Sequence, residues 1–187
     1  MTTLKIHNIE TAPEGSKALL EKSQNAYGMI PGLHGVLAGA PGILEAYQKL
    51  HELFVNSSFN EEELTVVWQT INVEHACHYC VPAHTGIAKM MKVDDSITEA
   101  LRNETPLENP KLEALRTMTL TIVRNRGNVT EEDLKAFYNA GYEERQVLEI
   151  ILGLSQKTIS NYVNHIANTP LDAGSKKFAW SKEKVVS

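Results

Sequence analysis

Asn60-Glu61-Glu62-Glu63-Leu64-Thr65-Val66-Val67-Trp68-Gln69-Thr70-Ile71 reads as a helix with little solvent face beyond its first turn. An asparagine before the first turn accepts backbone N–H bonds, and carboxylates in that turn favour the positive helix end. Glu61, Glu62 and Glu63 are therefore expected to be a solvated start. Leu64, Val66, Val67, Trp68 and Ile71 then surround the axis, and a helix apolar on most sides belongs in the middle of a bundle.

The rest of the chain supplies helices to surround it. Ser16 to Tyr27 reads as a first helix, and Gly28, Pro31, Gly32 and Gly35 break the chain before an apolar stretch ending at Leu37. Gly39-Ala40-Pro41-Gly42 opens a helix whose Ile43, Leu44, Tyr47, Leu50, Leu53 and Phe54 share one stripe. Further helices are predicted from about Cys80 to Val93, Asp95 to Asn103 and Lys111 to Arg126. Thr130-Glu131-Glu132-Asp133 resembles a capping box with Val129 as its staple, closed by Asn139-Ala140-Gly141. The last long helix, Glu144 to Asn168, is expected to bury Val147, Ile150, Ile151, Leu154, Ile159, Tyr162, Val163 and Ile166. Period-2 alternation is scarce, so the fold class is all-α. Residues 1–40 are read as an N-terminal helical extension and 41–187 as the principal helical domain. The tail with Lys176, Lys177, Lys182 and Lys184 is expected to be exposed or docked on a partner.

With 187 residues, 42% hydrophobic and 22% charged, the chain can bury one sizeable core. A net charge of -5 without a basic block argues against nucleic acid or an anionic membrane as partner. The N-terminus lacks the pattern of a secretory signal, and no apolar run reaches the length of a membrane span, so a cytoplasmic location is expected. Two cysteines three positions apart give no disulfide framework, and a bridge closing so short a loop restrains the unfolded chain little.

Glu74-His75-Ala76-Cys77-His78-Tyr79-Cys80-Val81-Pro82-Ala83-His84 concentrates both cysteines and three of the seven histidines. Proline is tolerated in a first helical turn, so Pro82 predicts a helix beginning near Tyr79 to Val81 with Cys80 at its N-terminus. Free N–H groups and the helix dipole there favour the thiolate. His84 falls one turn beyond Cys80 on the same face, as a base or acid, and Cys77 can resolve a sulfenic acid or mixed disulfide on Cys80. Glu74, three residues before Cys77, is expected to face the thiols as a carboxylate of raised pKa. Zinc held by the cysteines with His75, His78 or His84 is a competing reading, but a second C-x-x-C is absent and no metal is expected. An inert structural pair is the other alternative.

The run Leu64-Thr65-Val66-Val67 followed by Glu74-x-x-Cys77-x-Tyr79-Cys80-x-x-Ala83-His84 resembles the core of the alkylhydroperoxidase D (AhpD)-like branch of the carboxymuconolactone decarboxylase family. The resemblance is strongest over residues 60–95. It implies an AhpD-like helical bundle that is oligomeric, as a dimer, trimer or hexamer, and that needs no cofactor. It further implies Cys80 as attacking thiolate, Cys77 as resolving thiol and His84 as relay histidine. The relay glutamate of the best-studied members falls on Thr65 here, with Glu63 displaced by two; Glu74 matches a Glu-x-x-Cys variant and is the choice. The implied activity is that of a thiol-dependent peroxidase in antioxidant defence. Its implied partners are a small hydroperoxide and a dithiol reductant of lipoyl or thioredoxin-like type. A lactone decarboxylase or isomerase, with His84 and Glu74 moving protons and the cysteines dispensable, and a redox sensor without turnover remain alternatives.

Overall fold

The computed structural model describes residues 4–182, and every regular element among them is helical. The order is α1 (Glu14–Tyr27), α2 (Gly32–Leu37), α3 (Pro41–Val55), α4 (Glu61–Glu74), α5 (Cys80–Met90), α6 (Asp95–Arg102), α7 (Pro110–Arg124), α8 (Glu131–Asn139) and α9 (Glu144–Ala167), then a 3₁₀ turn at Ala173–Phe178. None of these helices is long and apolar enough to cross a membrane.

Helix α4 is the axis of the bundle and packs against α5, α6, α7 and α9. Its start is a reciprocal capping box: Glu63 N donates to Asn60 Oδ1 at 2.9 Å, and Asn60 N donates to Glu63 Oε2 at 3.1 Å. That bond and the ion pair with Lys111 at 3.1 Å draw Glu63 out of solvent, so the expected solvated start holds for Glu61 but not for Glu63, which is buried. From Glu63 to Val73 every residue of α4 is buried. Trp68, Ile71, Phe54, Leu115, Phe137 and Ile150 form the centre of the larger core, each such side chain contributing about 1.5–3 kcal/mol by leaving water.

The other boundaries have similar local causes. Asn109 caps α7 through the N–H groups of Lys111 and Leu112, and Gly127 closes the following turn at φ +83°. Thr130 and Asp133 form the capping box of α8. Gly32–Leu37 is helical rather than an irregular stretch, because Pro31 supplies a preset φ just before its first residue. Gly35 is required there by proximity: a Cβ would lie 2.8 Å from the carbonyl oxygen of His7.

Residues of α1, α2 and α3 build a second core with the C-x-x-C turn. Leu20, Leu33, Leu37, Leu44 and Tyr47 cluster with Cys77, Tyr79 and Cys80. The tail is docked on its own chain, while Lys176 and Lys177 are exposed as expected. Arg102 donates to the carbonyls of Phe178 at 3.1 Å and Ala179 at 3.4 Å, Trp180 Nε1 donates back to Arg102 O at 3.1 Å, and Lys182 pairs with Glu104 at 3.0 Å. Lys184 lies outside the described residues.

Candidate functional site

The turn between α4 and α5 aims both sulfurs inward. Helix α4 ends at His75, Ala76 takes a left-handed φ of +51°, and Cys77 N donates to Asn72 O at 2.9 Å. A non-glycine residue in that region costs about 1 kcal/mol, which the Asn72 bond and burial of the following segment offset. The next helix begins at Cys80, with Pro82 inside its first turn. Cys80 N donates to Cys77 Sγ at 3.3 Å, and both cysteines are free and buried, 0% and 2% exposed for Cys77 and Cys80. No reactant reaches either sulfur without movement of what covers them.

Tyr79, between the cysteines, anchors that cover. Its hydroxyl donates a short hydrogen bond to Asp172 Oδ2 and accepts from Leu33 N at 3.3 Å, while Asp172 Oδ1 accepts from Gly32 N at 3.1 Å. One phenol thus joins the C-x-x-C turn to α2 and to the segment after α9.

The surroundings of the thiols come from α9. At about 100° per residue, Gly153, Gln156, Lys157, Ser160, Asn161 and Asn164 share one face, and all are buried. Asn164 Nδ2 donates to Cys80 Sγ at 3.3 Å. Asn161 bridges Asn72 Oδ1 at 2.9 Å and His75 Nδ1 at 2.9 Å. Lys157, 1% exposed, places Nζ 2.7 Å from His84 Nε2. His84 Nδ1 is buried without a hydrogen-bond partner among the described residues, and the His84 ring lies 4.8 Å from that of Trp68. Trp68 Nε1 is held by Gln156 Oε1 at 2.8 Å, and Gln156 Nε2 donates to His51 Nδ1 at 3.1 Å.

These neighbours separate the two thiols. Burial pushes the Cys80 thiol up, but the Cys77 hydrogen bond, the Lys157 charge and the amides of Asn164 and Asn161 outweigh it, and Cys80 ends below the free-thiol range. Cys77 is pushed up, first by its hydrogen bond with Cys80 and then by burial. Burial, Lys157 and His51 hold His84 well below the ordinary imidazole value, so it is neutral. Burial lowers Lys157, and the charges on Cys80 and Cys77 oppose that shift.

Glu74 stands elsewhere. Its carboxylate accepts two bonds from Arg124, at 2.9 Å and 2.7 Å. The expected raised pKa is reversed: the Arg124 bond holds the carboxyl below the usual range despite partial burial. The three histidines of the motif diverge, His75 to Asn161, His78 to the carbonyl of Thr169 and His84 to Lys157. The structure therefore brings Cys77, Cys80 and His84 into one buried cluster, leaves Glu74 with Arg124, and adds Lys157, Asn161 and Asn164. The added residues share one face of α9 at helical spacing, but nothing local in the sequence ties that face to the cysteines.

No protein-family model matches the sequence, and no curated protein matches it. Solved structures share the fold. An uncharacterized peroxidase-related protein from Ralstonia eutropha JMP134, described as an alkylhydroperoxidase AhpD core, superposes with a TM-score of 0.79 at 15% identity, over 94% of this chain and 96% of the other. A peroxidase-related protein from Silicibacter sp. TM1040 gives 0.76 at 18% identity, over 91% and 92%. The debrominase Bmp8, solved with 2,3,4-tribromopyrrole, gives 0.74 at 14% identity, over 95% of each chain.

Proposed function

We propose that this chain, which has the fold of AhpD-core proteins, is a thiol-dependent reductase of small hydroperoxides working through a Cys77–Cys80 dithiol and disulfide cycle. The observation that carries this reading is the pair of free, buried, adjacent sulfurs, with Cys80 N donating to Cys77 Sγ at 3.3 Å and Asn164 Nδ2 donating to Cys80 Sγ at 3.3 Å, surroundings that favour a thiolate at Cys80 and a protonated thiol at Cys77. A thiolate is the nucleophile in peroxide reduction, and a neighbouring thiol that keeps its proton is suited to resolution. Cys80 sulfur attacks the distal peroxide oxygen, the O–O bond breaks, and the alkoxide leaves as an alcohol once protonated. Cys77 then displaces water from the Cys80 sulfenic acid, forming the disulfide, and a dithiol donor of lipoyl or thioredoxin-like type restores both thiols. Glu74 takes no part in the relay because Arg124 holds it charged. Homo-oligomerisation through the outer face of α9 and a reducing, cytoplasm-like compartment belong to the same reading.

The likeness to Bmp8 favours a second reading, in which the same two electrons replace a C–Br bond of a small arene by C–H, the ring carbon taking one thiol proton and the other leaving with bromide, while the two sulfurs close as the disulfide. Stopped-flow oxidation of the reduced protein by an alkyl hydroperoxide, with a brominated pyrrole in a parallel arm, separates the two. The peroxide is expected to give a Cys77–Cys80 disulfide and stoichiometric alcohol, and Cys80→Ser to give neither. Turnover that survives in Cys80→Ser defeats both readings.

A further inference from the structure

Lys157 has a buried Nζ with no carboxylate contributing to its environment among the described residues. An isolated buried charge is costly enough that such a group keeps its proton only if another charge compensates it. The anion that acts on it in the reduced site is the Cys80 thiolate, with the Cys77 sulfur beside it. At the same time Nζ is 2.7 Å from His84 Nε2, and the other nitrogen of that ring, Nδ1, is buried and unpartnered. An ammonium donating to Nε2 requires that nitrogen to be unprotonated, so the ring carries its proton on Nδ1, an orphaned donor inside the cluster.

We propose that Lys157 is the proton reservoir of the cysteine pair: charged while Cys80 is a thiolate, neutral once the disulfide has formed, and exchanging its proton through His84. The proposal rests on the dithiol reading of the site. The balance closes without another acid. The reduced site holds a Cys80 thiolate, a Cys77 thiol and the Lys157 ammonium. When Cys80 takes the distal oxygen of the hydroperoxide as its sulfenic acid, the alkoxide takes the His84 Nδ1 proton and His84 Nε2 takes one from Lys157; transfer of the ring proton from Nε2 to Nδ1 then restores the starting tautomer of His84. When Cys77 attacks the sulfenic sulfur, its proton leaves with the hydroxide as water. Two sulfurs have lost two electrons, one O–O bond has gone, and Lys157 is a neutral amine facing a neutral disulfide. Lys157 acts through His84 and is a positioning residue rather than one that touches the substrate.

The test reads the charge of Lys157 directly in the full-length protein. Lysine labelled with ¹³C at Cε, with Lys157 assigned by a Lys157→Arg variant, is followed by NMR at pH 7.5 in the dithiothreitol-reduced form and after oxidation by diamide. The expected result is an ammonium shift in the reduced form and an amine shift in the disulfide form. The same charge in both forms overturns the proposal. Diamide makes the disulfide without any peroxidase activity, so failure of the peroxide reading leaves this result interpretable. Lys157→Met supplies the second readout: thiolate absorbance at 240 nm titrated against pH is expected to show a loss of at least tenfold in the Cys80 thiolate fraction at the wild-type midpoint. An unchanged titration in a folded variant counts against Lys157 as counter-charge. Lys157→Arg keeps a charge that cannot be given up, so it is expected to retain the thiolate and lose at least tenfold in peroxide-driven disulfide formation; full activity there overturns the reservoir.

Discussion

A carboxylate clasped by a guanidinium is a poor proton acceptor, because the pair favours its charged form. Glu74→Gln is therefore expected to leave peroxide-driven disulfide formation within about twofold of wild type while lowering stability by about 0.5–1 kcal/mol, since Arg124 is half exposed and screened. Its folded pKa lies below the unfolded one, so the contribution is present above the ordinary 4.5 and lost as pH falls through the depressed value. Single-turnover rates and urea midpoints check the two halves, and a hundredfold loss of rate would restore Glu74 to the relay. The buried imidazoles act in the same direction over a higher window. Burial, with His51 nearby, brings His34 down to about 4, and burial, with Lys157 nearby, brings His51 down to about 4. His84 is lowered too, by burial first. The unfolded chain takes up these protons near 6.5 and the folded chain does not. Stability is then whole above about 6.5 and falls toward pH 4 by up to about 1.4 kcal/mol per pH unit for each histidine. Urea midpoints that stay flat from pH 7 to 4.5 would contradict this.

Helix α9 is the element that joins fold to site, and it does so at close range. A Cβ on Gly153 would lie 2.7 Å and 2.9 Å from ring atoms of Phe54, itself fully buried on α3. Gly153→Ala is expected to cost about 1–3 kcal/mol as an overpacked contact, in spite of alanine's better helix propensity, and chemical denaturation checks it. A gain in stability would mean that α3 and α9 can part without penalty. The same helix marks where sequence reading succeeds and where it stops. Caps and breakers act locally, so Asn60, Thr130, Pro82 and Gly141 place the ends of their helices within a residue or two. Which face of a helix turns inward is decided by partners distant in sequence. Tyr162 and Ile166, expected in the core, are 55% and 69% exposed, whereas Gln156, Lys157, Asn161 and Asn164 are buried. Polar groups are buried without penalty only when hydrogen-bonded, and the partners that allow it, Trp68, His84, Asn72 and Cys80, all lie on α4 and α5. The cysteines and His84 were legible because they stand close together in the chain, Cys80 and His84 one helical turn apart. Lys157 was not, because 73 positions separate it from His84.

At the scale of the whole molecule, the polar inner face of α9 leaves an apolar one outside. Leu148, Ile151, Tyr162 and Ile166 are 61%, 44%, 55% and 69% exposed, and at about 100° per residue they fall on a single stripe opposite Lys157. Large apolar side chains exposed along one face of a helix on a folded chain mark a candidate interaction site. Ser155, Thr158 and Ile159 continue the stripe, so its middle carries no charge, and a surface with no charge to be matched is suited to another copy of itself related by a two-fold axis. The stripe also borders the C-x-x-C turn, with the Tyr162 ring 5.6 Å from that of His75 and the His165 ring 6.4 Å from that of His78. A second copy on α9 would therefore cover the rim of the C-x-x-C site as well as the apolar residues. Light scattering behind size exclusion is expected to give an integral multiple, at least two, of 20.8 kDa. Tyr162→Lys combined with Ile166→Lys is expected to shift the mass to a single chain without loss of helicity, because both side chains point away from their own core. If the interface shields the turn, that variant also alkylates at its cysteines at least tenfold faster at equal pH. A wild-type protein that is monomeric at micromolar concentration, with cysteines as slow to alkylate as before, would show instead that α1, α2 and the tail held by Tyr79 and Asp172 are the whole of the cover.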